Sequence, residues 1–394
     1  MKSSFRSATP GQLAEALQDA RNYSLSLFDC FLAQGVDGPQ RVPYLPTIQP
    51  PLWLFGHIAW FAEWFILRDA LSSHPADAQR GSMLTYGDDW FDGNISHQAR
   101  WSMDLPSAGA LKTYCFEVFD RVLDKLSRTE ATPEGLYPFR LALAHEDSQA
   151  EAMVRILQVL GMHAPKNIAR PTFPHWAQGQ VLFAGGNHQL GSPDDGSFVF
   201  DNEKWAHPVY VPTFSIDSTL VNNAQFAEFV ADGGYQRHQF WSPAGLSWLL
   251  GEGCSAPHGW VRDGNHWRME RFGEWMVLSA TEPVRHINLY EAQAWCMWAD
   301  RRLPTESEWE WAACSSHPAW RWGDLWEWTA SPFEPYPGFV ADPFREYSAP
   351  HFVTHQVVRG ASFATPPRVR WPRFRNFCLP QRDDWLIGFR TCAW

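Results

Sequence analysis

The chain has 394 residues, of which 45% are hydrophobic and 19% are charged, and its formal net charge at pH 7 is −11. This length exceeds what one compact core usually needs, so we expect two domains. The negative charge argues against nucleic acid as a partner, because phosphate binding requires a basic surface. The 23 tryptophans and 27 phenylalanines exclude a disordered chain, and small molecules are the better guess for its partners.

Neither cysteine usage nor hydropathy indicates an extracellular or a membrane protein. The seven cysteines include no CxxC pair and no regular spacing, so neither a disulfide framework nor a zinc finger is expected. The first ten residues lack the apolar segment of a signal peptide, and the most apolar stretch, residues 52–67, is short and contains His57 and Glu63. We therefore predict a cytoplasmic protein without a membrane span.

Residues 9–161 have the hydrophobic periodicity of three or four long helices. Apolar residues recur at helical spacing in residues 11–20, 50–67, 111–126 and 141–160. Between the second and the third of these segments, residues 86–101 form a predicted loop rich in Asp, Gly and Asn.

A candidate metal site lies in the last of these helices. The sequence His145-Glu-Asp-Ser-Gln149-Ala-Glu151 places two candidate ligands four residues apart, on one helix face, and turns Glu151 to the flank. A third ligand must come from elsewhere, and the best source is His57, the other histidine in a long apolar helical pattern. Three protein ligands with open coordination positions suit a metal that binds substrate and oxygen.

The pattern changes near residue 164 to short segments separated by glycine and proline. Little sustained periodicity remains there beyond two brief predicted helices, residues 222–231 and 289–298. The change predicts a helical domain at residues 1–164, a linker at 165–180 and an α+β domain rich in irregular structure at 181–394.

The second half contains an ordered series of motifs. They are Phe214–Val230, Gly233–Tyr235, Pro283–Ala292, Arg302–Ala313, Gly323–Thr329, Val358–Phe363 and Gly388–Arg390. This series resembles the formylglycine-generating-enzyme fold, an α+β fold of the C-type-lectin-like kind. The first half resembles a DinB-like four-helix bundle, and the combination is similar to the ergothioneine-type sulfoxide synthases.

That resemblance implies an iron(II) enzyme that uses O2 to join a sulfur donor to C2 of the imidazole of hercynine, the trimethylated betaine of histidine. Family members bind the iron with three histidines, two of them from an HxxxHxE helix. This chain keeps His145 and Glu151 but has Gln149 in place of the second histidine. The implied Fe(II) ligands are therefore His57, His145 and Gln149, while Glu151 is expected to orient a ligand histidine through its other ring nitrogen.

Within that family the chain looks most like the selenoneine synthases, which use hercynine and a selenosugar. The resemblance rests on residues 44–61 and 375–393. Thiol-using relatives carry Asn, Trp and Asp in the late segment, whereas this chain has Asn376, Phe377 and Cys378. Loss of the acidic residue suggests a donor without the amino-acid ammonium that it would meet.

The resemblance and the motif positions also predict residues that contact the substrates. Tyr336 lies near the place where relatives have an active-site tyrosine that supplies a proton, although a turn tyrosine packed between prolines is at least as good an explanation. Candidate substrate-binding residues are Ser96, Gln98, Arg100, Ser148, Arg375, Asn376, Phe377 and Cys378.

Together these features predict an enzyme that uses iron(II) and O2 to join hercynine to a selenosugar, giving a hercynyl selenoxide. Two alternatives stay open. One is a sulfoxide synthase that uses cysteine or γ-glutamylcysteine, and the other is a metal-free ligand-binding module in which Gln149 marks a lost site. A formylglycine-generating enzyme is less consistent, because Cys378 has no closely spaced cysteine partner.

Overall fold

A computed structural model describes residues 5–70, 78–174 and 177–394. Helices dominate the part before residue 170, which we call the helical half. They are α1 (Pro10–Ala33), α2 (Pro51–Ala62), α3 (Gly87–Phe91), α4 (Ala108–Arg128), α5 (Pro133–Val159) and α6 (Lys166–Ala169), and α2 continues into a π-helical turn at Glu63–Leu67. The predicted long helices are confirmed. None of the helices in the described ranges combines the length and the hydropathy that a membrane crossing requires.

Three of the long helices begin at a side-chain cap. Thr9 and Gln12 exchange hydrogen bonds in a capping box at the start of α1. The side chains of Ser107 and Thr132 accept backbone hydrogen bonds at the starts of α4 and α5. Helix α2 has no such cap, and it is stabilised by burial, because each of its 12 residues is buried.

The long helices pack so that α2 and α5, which carry the candidate ligands, are neighbours. Helix α1 packs against α5, and α2 packs against both α4 and α5. A buried ion pair between Arg21 Nε and Glu146 Oε1, 2.9 Å apart, joins α1 to α5. Arg21 also donates to the carbonyl of Cys115 in α4 at 3.0 Å. These contacts fix α5 against the rest of the helical half.

Residues 180–394, which we call the second half, form short strands and helices joined by long loops. The strands are β1 (Gln180–Phe183), β2 (Gly186–Leu190), β3 (His207–Val211), β4 (Phe214–Asp217), β5 (Trp260–Asp263), β6 (His266–Arg271), β7 (Glu274–Val277), β8 (Trp326–Pro332), β9 (Gln356–Gly360), β10 (Asn376–Cys378) and β11 (Ile387–Gly388). The helices are α7 (Asn223–Ala231), α8 (Pro243–Glu252), α9 (Leu289–Trp298) and α10 (Glu306–Cys314).

The mixed α+β class is confirmed. Helices α7 and α9 match the two predicted ones, whereas α8 and α10 were not predicted, because segments of 10 and 9 residues are too short for periodicity to identify them. The largest sheet has the order β10-β9-β8-β11, in which only β11 runs parallel to its neighbour. Strand β10 is an edge of this sheet and carries three of the predicted substrate-binding residues.

A buried carboxyl group in α9 makes the stability of the second half depend on pH. Burial raises the pKa of Glu291 to about 8 from an ordinary value of 4.5. Its carboxyl accepts hydrogen bonds from Tyr235 Oη and from the backbone N–H of Asn288. The folded state therefore binds one more proton than the unfolded state between pH 4.5 and about 8.

We expect the free energy of unfolding to fall as pH rises through this window, by at most about 1.4 kcal/mol per pH unit. Urea denaturation at pH 6, 7 and 9, followed by tryptophan fluorescence, measures this dependence. The Glu291→Gln variant stays neutral at every pH and is expected to show a flatter profile. An identical profile in the variant and the unchanged protein would contradict the assignment to Glu291.

Candidate metal centre and substrate cavity

A cavity of about 460 Å³ lies between α2, α5 and the segment of the second half from residue 344 to residue 385. Its wall contains His57, His145 and Gln149, the three predicted metal ligands. Much of the remaining wall is aromatic, and it includes Trp53, Trp60, Phe61, Phe344, Tyr347 and Phe377. The cavity thus joins candidate ligands from the helical half to an apolar surface that both halves build.

His57 is held in a single tautomer. Its Nδ1 lies 2.8 Å from the backbone carbonyl of Phe91. Because a carbonyl only accepts, Nδ1 carries the proton and Nε2 keeps its lone pair. The ring also stacks on Trp53 with centroids 4.8 Å apart, which fixes its plane. His57 therefore offers one oriented nitrogen ligand.

His145 lies beside His57 in α5, and the two ring centroids are 5.0 Å apart. The ring of His145 stacks on Phe61 at 3.7 Å. Its Nε2 is 3.2 Å from the side-chain amide of Gln149, while its Nδ1 is buried and has no hydrogen-bond partner among the described residues. The helical spacing thus brings His145 and Gln149 together as predicted from the sequence.

Both imidazoles are neutral at pH 7. Burial lowers the pKa of His57 to about 4, and nearby Arg100 lowers it further, against the opposing effect of the hydrogen bond to Phe91. Burial lowers the pKa of His145 well below its ordinary value, and the neighbouring His57 adds to that effect. Neutral imidazole is the form that binds metal ions, so both rings are ready to act as ligands.

The donor set fits a divalent first-row metal ion. Two neutral imidazoles and one carboxamide converge on the cavity, and rotation of the Gln149 amide can present its oxygen. No cluster of three or more His, Cys, Asp and Glu side chains arranged for a metal occurs in the described ranges. Gln149 is therefore the candidate for a third protein ligand beside the two histidines.

The structure contradicts the role predicted for Glu151. Its carboxylate accepts hydrogen bonds from Trp326 Nε1 at 2.7 Å, Ser362 Oγ at 2.6 Å and Thr365 Oγ1 at 2.8 Å. These donors all belong to the second half, and neither candidate ligand histidine is among the partners recorded for the carboxylate. Glu151 is rotated away from His145 and Gln149 on the helix, as its position in the sequence predicted. At that position its carboxylate contacts the second half.

Tyr336 and Arg375 are also placed differently from the prediction, because neither side chain lines the cavity. Tyr336 is buried, its Oη donates to Glu306 at 3.3 Å, and its ring lies 4.1 Å from the Arg375 guanidinium. Arg375 is 1% exposed and forms two hydrogen bonds with Glu306 at 2.8 and 2.9 Å. Both residues therefore stabilise the second half and do not face the substrates.

Replacement of Tyr336 by phenylalanine is expected to leave turnover close to that of the unchanged protein. The variant loses one long hydrogen bond to Glu306, which corresponds to about 1 kcal/mol of folding stability. Steady-state kinetics together with thermal unfolding separates these two effects. A large fall in kcat without a change in stability would show that Tyr336 is a catalytic residue.

Of the other predicted substrate-binding residues, Ser96 and Gln98 are not in the cavity wall. Both residues are exposed on the surface. The wall contains Arg100, Ser148, Asn376, Phe377 and Cys378.

Arg100 differs from the other arginines near the cavity. Its guanidinium stacks on Trp53 at 3.9 Å and donates to the backbone carbonyls of Gly93 and Ile95. Burial lowers its pKa to about 10, so it stays charged at pH 7. No carboxylate forms an ion pair with it among the described residues.

Sequence reasoning missed a second polar group in the wall. His351 and His355 lie with ring centroids 4.7 Å apart, and both rings contact Phe377. Burial lowers the pKa of both, to about 4 for His355. Gln49 Oε1 and Trp385 Nε1, from two other segments of the wall, are buried without a hydrogen-bond partner in the part of the chain that the structure describes.

Comparison with known proteins agrees with this architecture. Residues 169–324 and 320–393 match the family described as Sulfatase-modifying factor enzyme 1-like domain. The hercynine oxygenase of Mycolicibacterium thermoresistibile is 31% identical, over 97% of this chain and 94% of its own length. The hercynine oxygenase of Mycobacterium tuberculosis is 32% identical, over 98% of this chain and 99% of its own. The chain belongs to the hercynine oxygenase family.

Membership of the hercynine oxygenase family confirms the resemblance drawn from the sequence motifs, and it makes the protein an oxidoreductase. A further relative covers a smaller share of the chain. The formylglycine-generating enzyme of Streptomyces coelicolor is 34% identical over 38% of this chain and 52% of its own length.

Proposed function

We propose that the protein is an iron(II)-dependent oxygenase that joins hercynine to a selenosugar and forms a hercynyl selenoxide. In the balanced reaction hercynine loses its C2 hydrogen and the selenol loses its Se–H hydrogen. One oxygen atom of O2 becomes the selenoxide oxygen and the other leaves as water. The observation that carries the proposal is the pair of neutral imidazoles beside Gln149 in an aromatic cavity of a hercynine oxygenase family member.

His57, His145 and Gln149 would hold the iron, and the hydrogen bond from His57 Nδ1 to Phe91 keeps its Nε2 available. Iron(II), when bound, supplies the redox chemistry that activates O2, while the protein supplies orientation and an environment that excludes water.

Two features of the cavity suit a betaine of histidine. A trimethylammonium group cannot form ordinary hydrogen bonds, so it is recognised by aromatic faces, and the cavity wall offers Phe344 and Tyr347. Arg100 forms no ion pair with a side-chain carboxylate of the described residues, and it can pair with the substrate carboxylate. The imidazole of hercynine would then point toward His57 and His145.

The wall around Phe377 favours an uncharged second substrate. His351 and His355 are neutral, and the orphaned Gln49 Oε1 and Trp385 Nε1 offer one acceptor and one donor. A hydroxyl group both donates and accepts, so a sugar matches these groups. The nearby Arg382 is already occupied, since it pairs with Asp384 and donates to the carbonyl of Thr47 at 2.9 Å.

Other features support the finer parts of this proposal. The mutual packing of α1, α2, α4 and α5 supports a four-helix bundle of the DinB-like kind. All seven cysteines are free, which supports a reducing, cytoplasmic location.

An aerobic competition tests the proposal. Iron(II)-loaded protein is supplied with hercynine, a 1-selenosugar, cysteine and γ-glutamylcysteine together, and the products are identified by mass spectrometry. We expect a hercynyl selenoxide, and no product in a control with the iron removed by a chelator.

A sulfoxide as the main product would show that the second substrate is a thiol and not a selenosugar. The proposed metal site would then still stand. This second function is favoured by the relatives, since the name hercynine oxygenase specifies no selenium chemistry. Absence of both products, together with absence of bound iron, would favour a metal-free binding module.

A further inference from the structure

One face of helix α5 carries four polar side chains that all contact the second half. We call this set the docking stripe, and it consists of Asp147, Glu151, Arg155 and Gln158. The spacing i, i+4, i+8 and i+11 keeps the four residues in one row along the helix. The row begins between His145 and Gln149 in sequence, but it lies on a different side of the helix from these candidate ligands.

The two ends of the docking stripe are tied to separate parts of the second half. Asp147, which is 1% exposed, accepts from Arg368 Nε at 2.7 Å and from Nη2 at 2.6 Å. Gln158 donates to the carbonyl of Glu270 at 3.2 Å and accepts from the backbone N–H of Phe272 at 3.0 Å. These contacts, three helical turns apart, fix the position of α5 along its axis.

Glu151 is the centre of the docking stripe and has the most partners. Trp326 donates from strand β8, while Ser362 and Thr365 donate from the loop after β9, all at 2.6 to 2.8 Å. Three donors from two segments of the second half fix the position of the Glu151 carboxylate. Because each residue of a helix is rotated by about 100° from the next, holding Glu151 also sets the direction in which His145 and Gln149 point.

We propose that Glu151 is a positioning residue, which the second half uses to set the rotation of α5 and so to place His145 and Gln149 for the metal. The inference rests on the proposed function in one respect, that these two side chains bind the metal. Metal ligands tolerate errors of only about 0.5 Å or 10–20° before affinity falls, so a small rotation of α5 is sufficient to weaken binding. The metal site is then a property of the assembled protein and not of the helical half alone.

The test is a titration of the full-length apoprotein with cobalt(II), followed by its visible absorption bands, which report ligand geometry. In the Glu151→Ala variant and in the Ser362→Ala/Thr365→Val double variant we expect about tenfold or greater loss of cobalt affinity and shifted bands. The double variant leaves α5 itself unchanged. The single variant Thr365→Ser keeps the hydroxyl group. Its cobalt affinity and absorption bands are expected to stay close to those of the unchanged protein.

A matched control removes a contact between the halves that does not involve α5. Arg6 forms two hydrogen bonds of 2.8 Å with Glu203, and Arg6→Lys weakens them. This variant is expected to lower the melting temperature but to leave the cobalt bands unchanged. Equal spectral changes in Arg6→Lys would overturn the positioning role, since any loosening of the two halves would then have the same effect.

The remaining outcomes separate the two proposals. If the unchanged protein binds no cobalt, the proposed metal site is wrong. If it binds cobalt and both Glu151→Ala and the double variant bind it equally well with the same bands, the metal site stands and the positioning role is wrong. Should Glu151→Ala fail to fold, the double variant decides between these results.

Discussion

Replacement of His57 or His145 by alanine is expected to abolish stoichiometric iron(II) binding and turnover. Residues that merely orient metal ligands typically contribute about 10–100-fold to metal affinity, so the loss of a ligand is expected to cost more than this. Each variant leaves one imidazole and Gln149, whose neutral amide is the weakest donor of the set. Iron content after anaerobic loading and desalting, measured by mass spectrometry of the metal, gives the result directly.

His238→Ala is the matched control, because His238 is exposed and lies outside the cavity. It is expected to keep the iron content and turnover of the unchanged protein. Neither ligand variant should be grossly unstable, since both rings are buried as neutral groups and do not form ion pairs. Circular dichroism spectra and melting temperatures check this point. An unchanged iron content in the His57→Ala/His145→Ala double variant would refute the proposed site.

The part of this site that follows from local sequence could be predicted. His145 and Gln149 are adjacent because helical periodicity dictates it, and the 3.2 Å contact between them needed no knowledge of the rest of the chain. His57 was predicted because an apolar helix that is buried all round must place its histidine inside the protein. Both predictions depend only on the geometry of a single helix.

The errors concern contacts between distant segments. The position of Glu151 on its helix was correct, but the helix alone does not reveal that Ser362 and Thr365 approach it. Tyr336 was placed by its distance along the chain from a motif, and irregular backbone turned it toward Glu306. His351 and His355 lie in a segment without periodicity, so the sequence contained no signal that brought them to the cavity.

The largest effect on stability is expected from Glu327 in the second half. Glu327 and Arg390 form a buried ion pair in which both side chains are 0% exposed, with contacts of 2.5 and 2.7 Å. Trp309 Nε1 also donates to Glu327 at 2.8 Å. Glu327→Gln keeps the shape of the side chain but leaves the guanidinium of Arg390 buried without a counter-charge. The expected loss is about 3–5 kcal/mol of unfolding free energy.

Urea denaturation followed by tryptophan fluorescence measures this loss, with Glu274→Gln as the control. Glu274 pairs with Arg170 at 2.9 Å, but the two side chains are 48% and 69% exposed. Solvent screens such a pair, so the control is expected to lose far less stability than Glu327→Gln. Equal losses in the two variants would show that burial is not what makes the Glu327 pair important.

The double variant Glu327→Gln/Arg390→Met identifies the physical origin of the loss. If the cost comes from the uncompensated charge, removal of Arg390 in the Glu327→Gln background removes the charge, and the double variant is more stable than the sum of the single losses predicts. If the cost comes from contacts that each residue makes separately with other partners, such as Trp309 for Glu327 and Trp320 for Arg390, the two losses add. Arg390 also donates to the carbonyl of Asp217 and stacks on Trp320 at 3.7 Å, so some loss is expected to remain in the double variant. A clearly non-additive result would therefore assign most of the loss to the direct interaction of Glu327 with Arg390 and to the charge that either single variant leaves unpaired.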